Sequence, residues 1–452
     1  MEIAIIGTGY VGLTAGVCYA ELGHQVICVD NDQSKLEMLT QGVSPIYEPG
    51  LETLMKKNMQ QGKLMFTSDI SLAVKKSRII FLAVGTPSLD DGDINLSYID
   101  AAAREIGRVM DEEKIIVNKS TVPVGSVDRV KKIIQEECPG VPFSVASVPE
   151  FLREGCAIHD IMNGERIIIG VDNERAKEIL VKLHEPFKSP IQVTDTRSAE
   201  LIKYAANSFL AMKISFMNEV SNLAEHVGAD VLEVAKGIGA DSRIGDKFLN
   251  AGVGYGGSCF PKDTLGMIKM SERAGYDFKI LKEVVRVNDS QYLKVIEKLQ
   301  NIYPVIDGRT ITILGLAFKP ETDDLREAPS IKIINSLQQR SKNNITINAY
   351  DPIANEPAKR LLGSSVKYFS NIEEAIKNSD ACIIVTEWKQ IKEFNWNQNK
   401  HLMNCPIIID GRNCLVPEQL EEISYFGMGR LPVDDDSVTE LSQQNKKLSF
   451  AN

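Results

Sequence analysis

The sequence lacks any long hydrophobic run: no stretch of apolar residues approaches the roughly 20 that a helix needs to cross a bilayer. Its start also lacks a positively charged region and a cleavage site, and residues 1–7 lead directly into an apolar strand pattern. We therefore expect neither a signal peptide nor a membrane-spanning helix, and we predict a cytoplasmic protein.

Positively charged residues are fewer than negatively charged ones. The chain of 452 residues has 51 Lys and Arg against 61 Asp and Glu, which gives a formal net charge of −10. A nucleic-acid-binding protein would need a basic face, so this balance argues against a nucleic-acid partner. It does not exclude an anionic small ligand, because a local basic pocket is enough to bind one.

Cysteine and histidine give little support for a disulfide framework or a metal site. The 8 cysteines form no C-x-x-C pair, and the 5 histidines are scattered without the spacing of metal ligands. We expect most of the cysteines to be small buried hydrophobic residues, and we predict no bound metal.

The length and composition indicate more than one ordinary globular core. Apolar residues make up 43% of the chain and charged residues 25%, and 452 residues predict two or three domains. In the first part, apolar strand patterns at 2–6, 25–30, 78–83, 114–118, 144–147 and 165–170 alternate with helical ones, as at 10–22. This alternation predicts a parallel sheet with helices on both faces.

The middle of the chain has a different pattern. Residues 196–227 contain no Pro or Gly and have apolar residues at helical spacing, which predicts one long helix with at most one break, ending near Gly228. Another helix is predicted at 278–300. The strand and helix alternation then returns, with strands at 310–314, 346–350, 381–386 and 406–410 and a helix at 330–339.

These patterns predict an α/β fold with two doubly wound, Rossmann-like parallel-sheet domains joined by a long central helix. We place the first domain at 1–195, a central helical region that carries catalytic and dimerisation residues at 196–300, and the second sheet domain at 301–432. The polar and charged tail at 433–452 is predicted to be disordered.

The strongest local motif is the G-x-G-x-x-G of Gly7, Gly9 and Gly12, between the first strand and the first helix. This context is typical of dinucleotide binding. In such a site Gly7 allows the tight turn, Gly9 lets the pyrophosphate approach the backbone, and Gly12 permits close packing of helix and sheet. The helix start offers free N–H groups and a positive dipole end to the phosphates.

Asp30 ends the second strand, 18 residues beyond Gly12. Its carboxylate can accept hydrogen bonds from both ribose hydroxyls and would repel a 2′-phosphate, which favours NAD over NADP. Lys35, one turn into the next helix, could reach the adenosine end. Thr86 and Thr121 follow later strands and are candidates to face the cofactor, although ordinary strand-to-loop turns would explain them equally well.

Cys259 follows a cluster of glycines at 252, 254, 256 and 257. A thiol in such a loop can act as a nucleophile if a nearby cation or helix start lowers its pKa. Lys262 and Asp263 follow within one turn. The competing interpretation is a buried structural cysteine.

Lys203 and Asn207 lie four residues apart on one face of the long helix. Lys203 interrupts an apolar stripe, so it either polarises a substrate oxygen or reaches out to solvent. Glu150 and Glu154 have the same spacing. The two carboxylates either belong to the functional site or, as the simpler alternative, lie on a capped surface helix. Arg326, beyond the degenerate glycine turn at 315, is a candidate for a pyrophosphate contact.

Six ordered motifs cover about residues 1–430: GTGYVGL, KSTVPVG, PEFLREG, the Lys203–Asn207 pair, RIGDKFLNAGVGYGGSCFPKD and GLAFKPETDDLRE. On these motifs the chain closely resembles the UDP-glucose/GDP-mannose dehydrogenases, and it is most similar to the bacterial UDP-glucose branch of that family.

The resemblance implies a four-electron oxidation of sugar C6 from alcohol to carboxylate, with two NAD⁺ used in succession. Cys259 would attack the aldehyde to give a thiohemiacetal, and a second hydride transfer would leave a thioester that water hydrolyses. Lys203 and Asn207 would stabilise the oxyanion. Asp263 would activate water or move protons, while Thr121 and Glu150 would take part in proton handling.

The resemblance also implies the binding residues. Those for NAD are Gly7, Gly9, Val11, Gly12, Asp30, Lys35, Thr86, Thr121, Glu154, Lys262 and Arg326. Those for the UDP-sugar are Glu150, Phe151, Leu152, Arg153, Glu154, Lys203, Asn207, Arg243, Phe248, Leu249, Asn250, Ala251, Gly252, Gly256, Phe318 and Lys319. Because Arg243 would reach the substrate of a neighbouring subunit, a homodimer built on the long helix is expected.

Three other interpretations compete with this one. A simple β-hydroxyacid dehydrogenase shares the dinucleotide domain and the Lys-x-x-x-Asn pair, but it needs neither Cys259 nor a second nucleotide domain. A sister dehydrogenase would act on a UDP-N-acetylhexosamine or GDP-mannose. A non-catalytic NAD-sensing or scaffold protein would be expected to have lost Cys259, Lys203 or Asp263, and all three are present.

Overall fold

The computed structural model describes residues 1–342 and 344–432. The chain forms two compact units, the first made of residues 1–207 and 265–277 and the second of 208–264 and the chain from 278 onward. The tail at 433–452, predicted to be disordered, lies outside the described residues. The division at 195 and 300 stays a prediction. No helix of the described ranges is both long and apolar enough to cross a membrane.

The first unit contains an eight-stranded sheet in the order β3-β2-β1-β4-β5-β6-β7-β8. Its strands are β1 (Glu2–Ile6), β2 (Gln25–Val29), β3 (Leu64–Thr67), β4 (Ile79–Leu82), β5 (Lys114–Asn118), β6 (Phe143–Ser147), β7 (Ile167–Val171) and β8 (Ile191–Thr194). The chain progresses outward from β1 in both directions, so the topological switch point lies between β1 and β4.

One pairing departs from the predicted parallel arrangement, because β7 runs antiparallel to β6. The segment between these two strands is a loop followed by a six-residue helix, Ala157–Met162, which packs against the first helix of the chain rather than forming a long helical crossover. The doubly wound part of the sheet is therefore β1 to β6, extended by β7 and β8.

Helices cover both faces of the first sheet: α1 (Tyr10–Glu21), α2 (Gln33–Thr40), α3 (Leu51–Gln60), α4 (Ile70–Lys76), α5 (Ser97–Val109), α6 (Ser126–Glu137), α7 (Ala157–Met162) and α8 (Glu174–His184). Alternate residues of β1 enter different cores. Ile3 and Ile5 pack in the core on the α1 side, and Ala4 and Ile6 pack in the core on the α5 side. Burial on both faces explains why the strand is continuously apolar.

The long helix α9 spans Thr196–Val227 as 32 residues without a break, about 48 Å at 1.5 Å per residue. At its start the Asp195 carboxylate accepts a hydrogen bond from Ser198 N at 2.8 Å. At its end Gly228 takes a positive φ of 74°, and Ala229 N donates back to Ala224 O at 3.0 Å. The prediction of one long helix ending near Gly228 is confirmed.

Four further helices follow: α10 (Val231–Gly239), α11 (Phe260–Arg273), α12 (Lys279–Gln291) and α13 (Leu293–Ile302). The prediction of a single helix at 278–300 is wrong in one respect, because Tyr292 separates α12 from α13. Its φ of −60° and ψ of −22° are close to 3₁₀ geometry, which interrupts the α-helical hydrogen bonding at that residue.

The second unit contains a six-stranded sheet in the order β11-β10-β9-β12-β13-β14, with every pair parallel. Its strands are β9 (Thr310–Leu314), β10 (Thr346–Tyr350), β11 (Lys367–Tyr368), β12 (Ala381–Ile384), β13 (Ile407–Asp410) and β14 (Ser424–Gly427). Its helices are α14 (Pro329–Arg340), α15 (Asn355–Leu362), α16 (Ile372–Ile376), α17 (Lys389–Lys392) and α18 (Trp396–Asn399). The strand order repeats that of β1 to β6, so the predicted pair of doubly wound sheets is confirmed.

Candidate functional site

The three glycines of the loop after β1 have different roles. Gly7 has a φ of 102°, and a Cβ there would lie 2.7 Å from Ala83 O. A Cβ on Gly12 would lie 1.9 Å from Gly7 O, so α1 can approach the loop only with glycine at that position. A Cβ on Gly9 would meet nothing within 4 Å. Protein packing therefore explains Gly7 and Gly12, whereas Gly9 leaves open backbone of the kind that a dinucleotide phosphate needs.

Asp30 lies directly after β2 and is tied to the same loop. Its carboxylate accepts hydrogen bonds from Thr8 N at 2.9 Å, Thr8 Oγ1 at 2.5 Å and Asp32 N at 3.0 Å. Burial acts to raise the pKa of this carboxyl, but the hydrogen bonds and the nearby charge of Lys35 outweigh burial and hold the pKa below its usual value. Asp30 is therefore an anion beside the glycine loop at neutral pH.

The two threonines predicted at strand ends come together. Thr86 lies in the loop after β4 and Thr121 in the loop after β5, and Thr86 Oγ1 donates to Thr121 O at 2.9 Å. Both loops lie at the carboxyl edge of the first sheet, which is the edge where such sheets bind ligands. The fit of this edge to NAD therefore rests on Gly9, Asp30 and the loops after β4 and β5.

The segment 149–155 is a loop, so the capped surface helix proposed as an alternative for Glu150 and Glu154 is wrong. Gly155 has a φ of 78°, which a continuing helix would not allow. Both carboxylates belong to buried residues. Glu150 Oε1 lies 3.1 Å from Lys203 Nζ, and Glu150 Oε2 accepts a hydrogen bond from Leu152 N at 3.0 Å.

Lys203 does not reach out to solvent. The residue is only 3% exposed, so its charge is held inside the first unit by the ion pair with Glu150. Its Nζ also lies 5.4 Å from the centroid of the Phe151 ring, and Arg166 contacts that ring at 4.2 Å. Asn207, one turn further along α9, is buried too. A buried ammonium held by one carboxylate can stabilise an oxyanion.

Arg153 is held differently from its neighbours in this loop. Its guanidinium forms a bidentate ion pair with Asp160, at 2.8 Å from Nε to Oδ2 and 2.7 Å from Nη2 to Oδ1, and much of the side chain is exposed. The structure thus places Arg153 in a surface ion pair within the first unit.

Lys119 and Glu48 are buried charged residues of the first unit that sequence reasoning did not single out. Lys119 follows β5, with Nζ 5.9 Å from the centroid of the Phe81 ring, and burial lowers its pKa to about 8 against the attraction of Glu150. The signal was a lysine directly after a strand whose centre, residues 115–117, is apolar. Glu48 lies in the turn before α3 and accepts several hydrogen bonds; no periodicity or motif marks it.

Cys259 lies in the second unit, immediately before α11, and is partly exposed. Asp263 N donates to Cys259 O at 2.8 Å, so this residue begins the hydrogen bonding of the helix, and Ser258 Oγ is 3.6 Å from Sγ. Free N–H groups and the positive dipole end of a helix favour a thiolate. Lys262 Nζ and Asp263 Oδ1 form an ion pair at 2.7 Å. By contrast, Cys18, Cys28, Cys138 and Cys382 are buried, as expected of structural cysteines.

The glycines at 252–257 are explained by protein packing. A Cβ on Gly256 would lie 2.4 Å from Glu327 O, and one on Gly257 would lie 2.7 Å from the Phe318 ring. A Cβ on Gly252 would lie 2.8 Å from Gly411 O. These glycines allow the segment to pack against the loops after β9 and β13. The contact of Gly252 and Gly256 with the UDP-sugar stays a prediction.

Several residues predicted to hold the sugar nucleotide have other contacts. Leu249 and Ala251 are buried in a core that includes Met217 of α9, so only their backbone is available to a ligand. Phe248 has a φ of 65°, and its ring centroid lies 6.3 Å from that of Phe260. Asn250 lies between the two core residues and is exposed.

Three predicted cationic residues remain accessible in the second unit. Arg243 pairs with Asp241 at 2.5 Å and Arg326 with Asp324 at 2.7 Å, and both guanidinium groups are largely exposed. Lys319 Nζ lies 5.7 Å from the centroid of the adjacent Phe318 ring. Such surface ion pairs are weak, so the arginines can exchange them for an anionic ligand.

The second sheet repeats the loop geometry of the first with a changed chemistry. Gly315 follows β9 with a φ of 88°, and Asp351 after β10 accepts hydrogen bonds from Leu316 N at 2.7 Å and Ala317 N at 3.0 Å. Asp351 also accepts from Trp388 Nε1 at 3.0 Å and is buried. Unlike Asp30, Asp351 is buried and its carboxylate is occupied by hydrogen bonds from the protein. The second sheet is therefore not a second NAD site of the same kind.

This fold and the glycine loop define a dinucleotide-binding protein that carries a second doubly wound sheet. Residues 1–188 match the NAD binding domain of the UDP-glucose/GDP-mannose dehydrogenase family, residues 197–290 its central domain, and residues 312–417 its UDP binding domain.

Relatives match over almost the whole chain. UDP-glucose 6-dehydrogenase TuaD of Bacillus subtilis is 49% identical over 426 residues, which is 94% of this chain and 92% of the relative. A UDP-glucose 6-dehydrogenase of Rhizobium meliloti is 44% identical, covering 95% of this chain and 100% of the relative. The structure of a UDP-glucose dehydrogenase from Pyrobaculum islandicum superposes with a TM-score of 0.89 at 39% identity, covering 95% of this chain and 98% of that one.

The chain belongs to the UDP-glucose/GDP-mannose dehydrogenase family. It is therefore an NAD-dependent oxidoreductase, and the interpretation as a non-catalytic scaffold no longer stands. The match of 312–417 to a UDP binding domain also removes the simple β-hydroxyacid dehydrogenase, which needs no such domain.

Proposed function

We propose that this protein oxidises UDP-glucose at C6 to UDP-glucuronate in two NAD-dependent steps that are linked by a covalent intermediate on Cys259. The observation that carries the proposal is the partly exposed Cys259 thiol at the start of α11, in a chain that has both an NAD binding domain and a UDP binding domain. A single alcohol oxidation would not need a nucleophile, whereas an oxidation to the acid does.

The first oxidation converts the C6 alcohol to an aldehyde. Bound NAD⁺ supplies a hydride acceptor. The hydroxyl loses its proton to a base, for which Glu150 and water near Thr121 are the candidates. We assign Lys203 and Asn207 to the stabilisation of the negative charge that develops on the oxygen. Glu150 holds the ammonium of Lys203 in place for this role, at 3.1 Å.

The second oxidation passes through Cys259. Its thiolate attacks the aldehyde carbon, a C–S bond forms, and the carbonyl electron pair becomes an oxyanion that takes up a proton as the thiohemiacetal. Loss of the second hydride from C6, for which a second NAD⁺ would supply the acceptor, and of the hydroxyl proton leaves a thioester. Water then adds to the thioester carbon, the C–S bond breaks, and the products are the carboxylate and the thiol. Asp263 accepts the proton of the attacking water in this scheme.

The binding residues are assigned separately in each unit. In the first unit the glycine loop, Asp30 and the loops after β4 and β5 would hold NAD, with Val11 and Lys35 nearby in sequence and Glu154 near Tyr10 in space. In the second unit we propose that Lys319 and the backbone of 248–252 bind the UDP-sugar, and that Lys262 and Arg326 bind NAD phosphates. The exposed guanidinium of Arg326 supports the last assignment.

The substrate can be tested directly with purified protein and a panel of nucleotide sugars. NADH formation is measured with UDP-glucose, a UDP-N-acetylhexosamine and GDP-mannose under identical conditions. We expect the largest kcat/KM with UDP-glucose. A larger kcat/KM with either of the others would replace this proposal by that of a sister dehydrogenase.

Asp30 should set the preference for NAD over NADP. In the Asp30→Asn variant the amide is neutral and has one acceptor oxygen in place of two. We expect about tenfold weaker NADH binding and a smaller preference for NADH over NADPH, because the repulsion of a 2′-phosphate is lost. Fluorescence titration of both coenzymes measures this. Asp32→Asn, which changes a more exposed acid two residues away, is the matched control, and an unchanged NADH/NADPH ratio in Asp30→Asn would contradict the assignment.

We also propose that the enzyme is a homodimer formed through α9. In the second unit Phe209, Phe216 and Leu223 recur every seven residues along α9 and are 57%, 58% and 59% exposed. Spacing by seven places them along one side of the helix, and large apolar side chains exposed in such a row indicate a helix-packing surface. A second copy of the same helix would bury the row symmetrically.

A charge within this row should break the dimer. We expect Phe216→Asp to lower the molar mass in light scattering from that of a dimer towards that of one chain. Tyr276→Asp introduces the same charge at another exposed aromatic residue, 64% exposed, outside the row, and should leave the mass unchanged. A dimeric Phe216→Asp variant, or a parent protein that is monomeric at micromolar concentration, would refute the interface.

We place this reaction in the cytoplasm. All eight cysteines are free thiols in the structure, which is typical of a reducing compartment.

A further inference from the structure

Glu48 is a buried carboxylate in the turn that leads from α2 to α3. It accepts hydrogen bonds from Gly155 N on Oε2 and from Ala157 N on Oε1, each at 2.7 Å, and from the hydroxyl of Tyr10. The residue is 7% exposed, so these donors replace most of the water that an ionised carboxylate would otherwise bind. Hydrogen bonds to a charged acceptor are stronger than those between neutral groups, so three donors hold this buried carboxylate firmly. We call Glu48 and its three donors the junction.

The three donors come from two separate segments. Tyr10 is the first residue of α1 and lies inside the glycine loop, between Gly9 and Gly12. Gly155 and Ala157 lie at the end of the loop 149–155 and at the start of α7. Tyr10 closes the junction further, because Gly155 N also donates to the Tyr10 hydroxyl oxygen at 2.7 Å. Glu48 belongs to neither segment and contacts both.

These two segments carry different parts of the proposed reaction. The glycine loop is the site expected for the NAD pyrophosphate. The loop 149–155 carries Glu150, which holds Lys203. Both segments belong to the first unit, where Glu48 links them by hydrogen bonds to Tyr10, Gly155 and Ala157.

We propose that Glu48 is a positioning residue that, through Tyr10 and Gly155, sets the register between the NAD-binding glycine loop and the loop that holds Lys203. The inference rests on the proposed function for the role of Lys203, but its link to NAD binding rests only on the glycine loop. Burial and the hydrogen bond to Glu48 raise the pKa of Tyr10 well above its usual value, so the hydroxyl keeps its proton and remains a donor.

Glu48→Gln is the sharpest test, because it preserves size and removes the charge. In this variant one carboxylate oxygen becomes an NH₂ group, which must face at least one of the three donors. Two donors then face each other, the hydrogen bond at that position is lost, and the two segments are held less firmly. We expect the Kd for NADH, titrated by fluorescence, to rise about tenfold, and kcat to fall about tenfold. Glu52→Gln makes the same change at an exposed acid four residues further on, paired with Lys56, and should change neither quantity more than twofold.

Tyr10→Phe provides a second variant, which removes one hydroxyl and leaves the carboxylate. We expect a threefold or larger rise in the Kd for NADH. In the double variant Glu48→Gln/Tyr10→Phe the rise in Kd should be smaller than the product of the two single rises, because both changes break the same set of hydrogen bonds. If Glu48→Gln does not fold, the Kd of Tyr10→Phe for NADH tests the proposal by itself. A residue that only stabilised the fold would lower the melting temperature while folded protein bound NADH normally.

An NADH affinity within twofold of the parent in the folded variants would overturn the proposal, whatever the melting temperature. The NADH titration needs no sugar nucleotide, so it remains decisive even if UDP-glucose proves not to be the substrate. Conversely, failure of this junction would leave the proposed reaction on Cys259 intact.

Discussion

Replacement of Cys259 by serine is expected to lower kcat for the complete oxidation by about a thousandfold or more. A serine hydroxyl has a far higher pKa than a thiol, so the start of α11 does not supply an anionic nucleophile in the variant, and any ester formed would hydrolyse more slowly than a thioester. Binding of NADH should be unchanged, because the substitution alters neither the glycine loop and Asp30 nor the charges of Lys262 and Arg326.

Steady-state NADH production measures this loss, and mass spectrometry of the quenched variant shows whether sugar remains attached to the chain. Cys405→Ser is the matched control, since it makes the same change at another partly exposed thiol of the second unit. Undiminished turnover in Cys259→Ser would refute the covalent route.

Replacement of Lys203 by methionine should have the second largest effect, a fall in kcat of about a hundredfold to a thousandfold with a smaller change in KM. The ammonium is proposed to act on charge that exists only in the transition state and in the oxyanion, so its loss should reduce kcat and kcat/KM together. The charge is buried, with the Glu150 carboxylate at 3.1 Å, in a site that is largely closed to solvent.

The same substitution leaves Glu150 buried without its cation, which costs about 3–5 kcal/mol of stability in comparable pairs. Thermal unfolding must therefore be measured alongside the rate, and Lys203→Met/Glu150→Gln restores neutrality while the ammonium stays absent. Because Glu150 is itself a candidate base, the double variant is compared with Glu150→Gln alone: a further loss of rate without a further loss of stability separates catalysis by Lys203 from stability. Lys236→Met, at an exposed lysine paired with Glu233 on α10, is the control for loss of a lysine. A fully active Lys203→Met enzyme would remove Lys203 from the mechanism.

The sequence was sufficient to predict the strands and helices that have strong local signals. Apolar runs that end at Gly7, Asp30 or Gly315 marked parallel strands correctly, because burial on both faces makes such strands apolar throughout. The absence of Gly and Pro over 196–227 similarly predicted α9. The antiparallel direction of β7 was missed, since the direction of a strand depends on its tertiary connection rather than on its own residues.

The pairing and burial of the site residues depend on contacts between residues distant in sequence. Glu150 and Lys203 are separated by 53 positions, and only the fold reveals that the two charges are paired and buried. Leu249 carries no sign that its side chain enters a core. Glu48 combines donors from segments 38 and 107 residues away, so no local pattern could have marked it.

The most direct test of the central claim is the number of NADH molecules formed per molecule of UDP-glucose when the sugar is limiting and NAD is in excess. The four-electron route through Cys259 predicts two NADH per UDP-glucose, with UDP-glucuronate as the product and no free aldehyde trapped by an added amine. One NADH per UDP-glucose, with an aldehyde released, would contradict it.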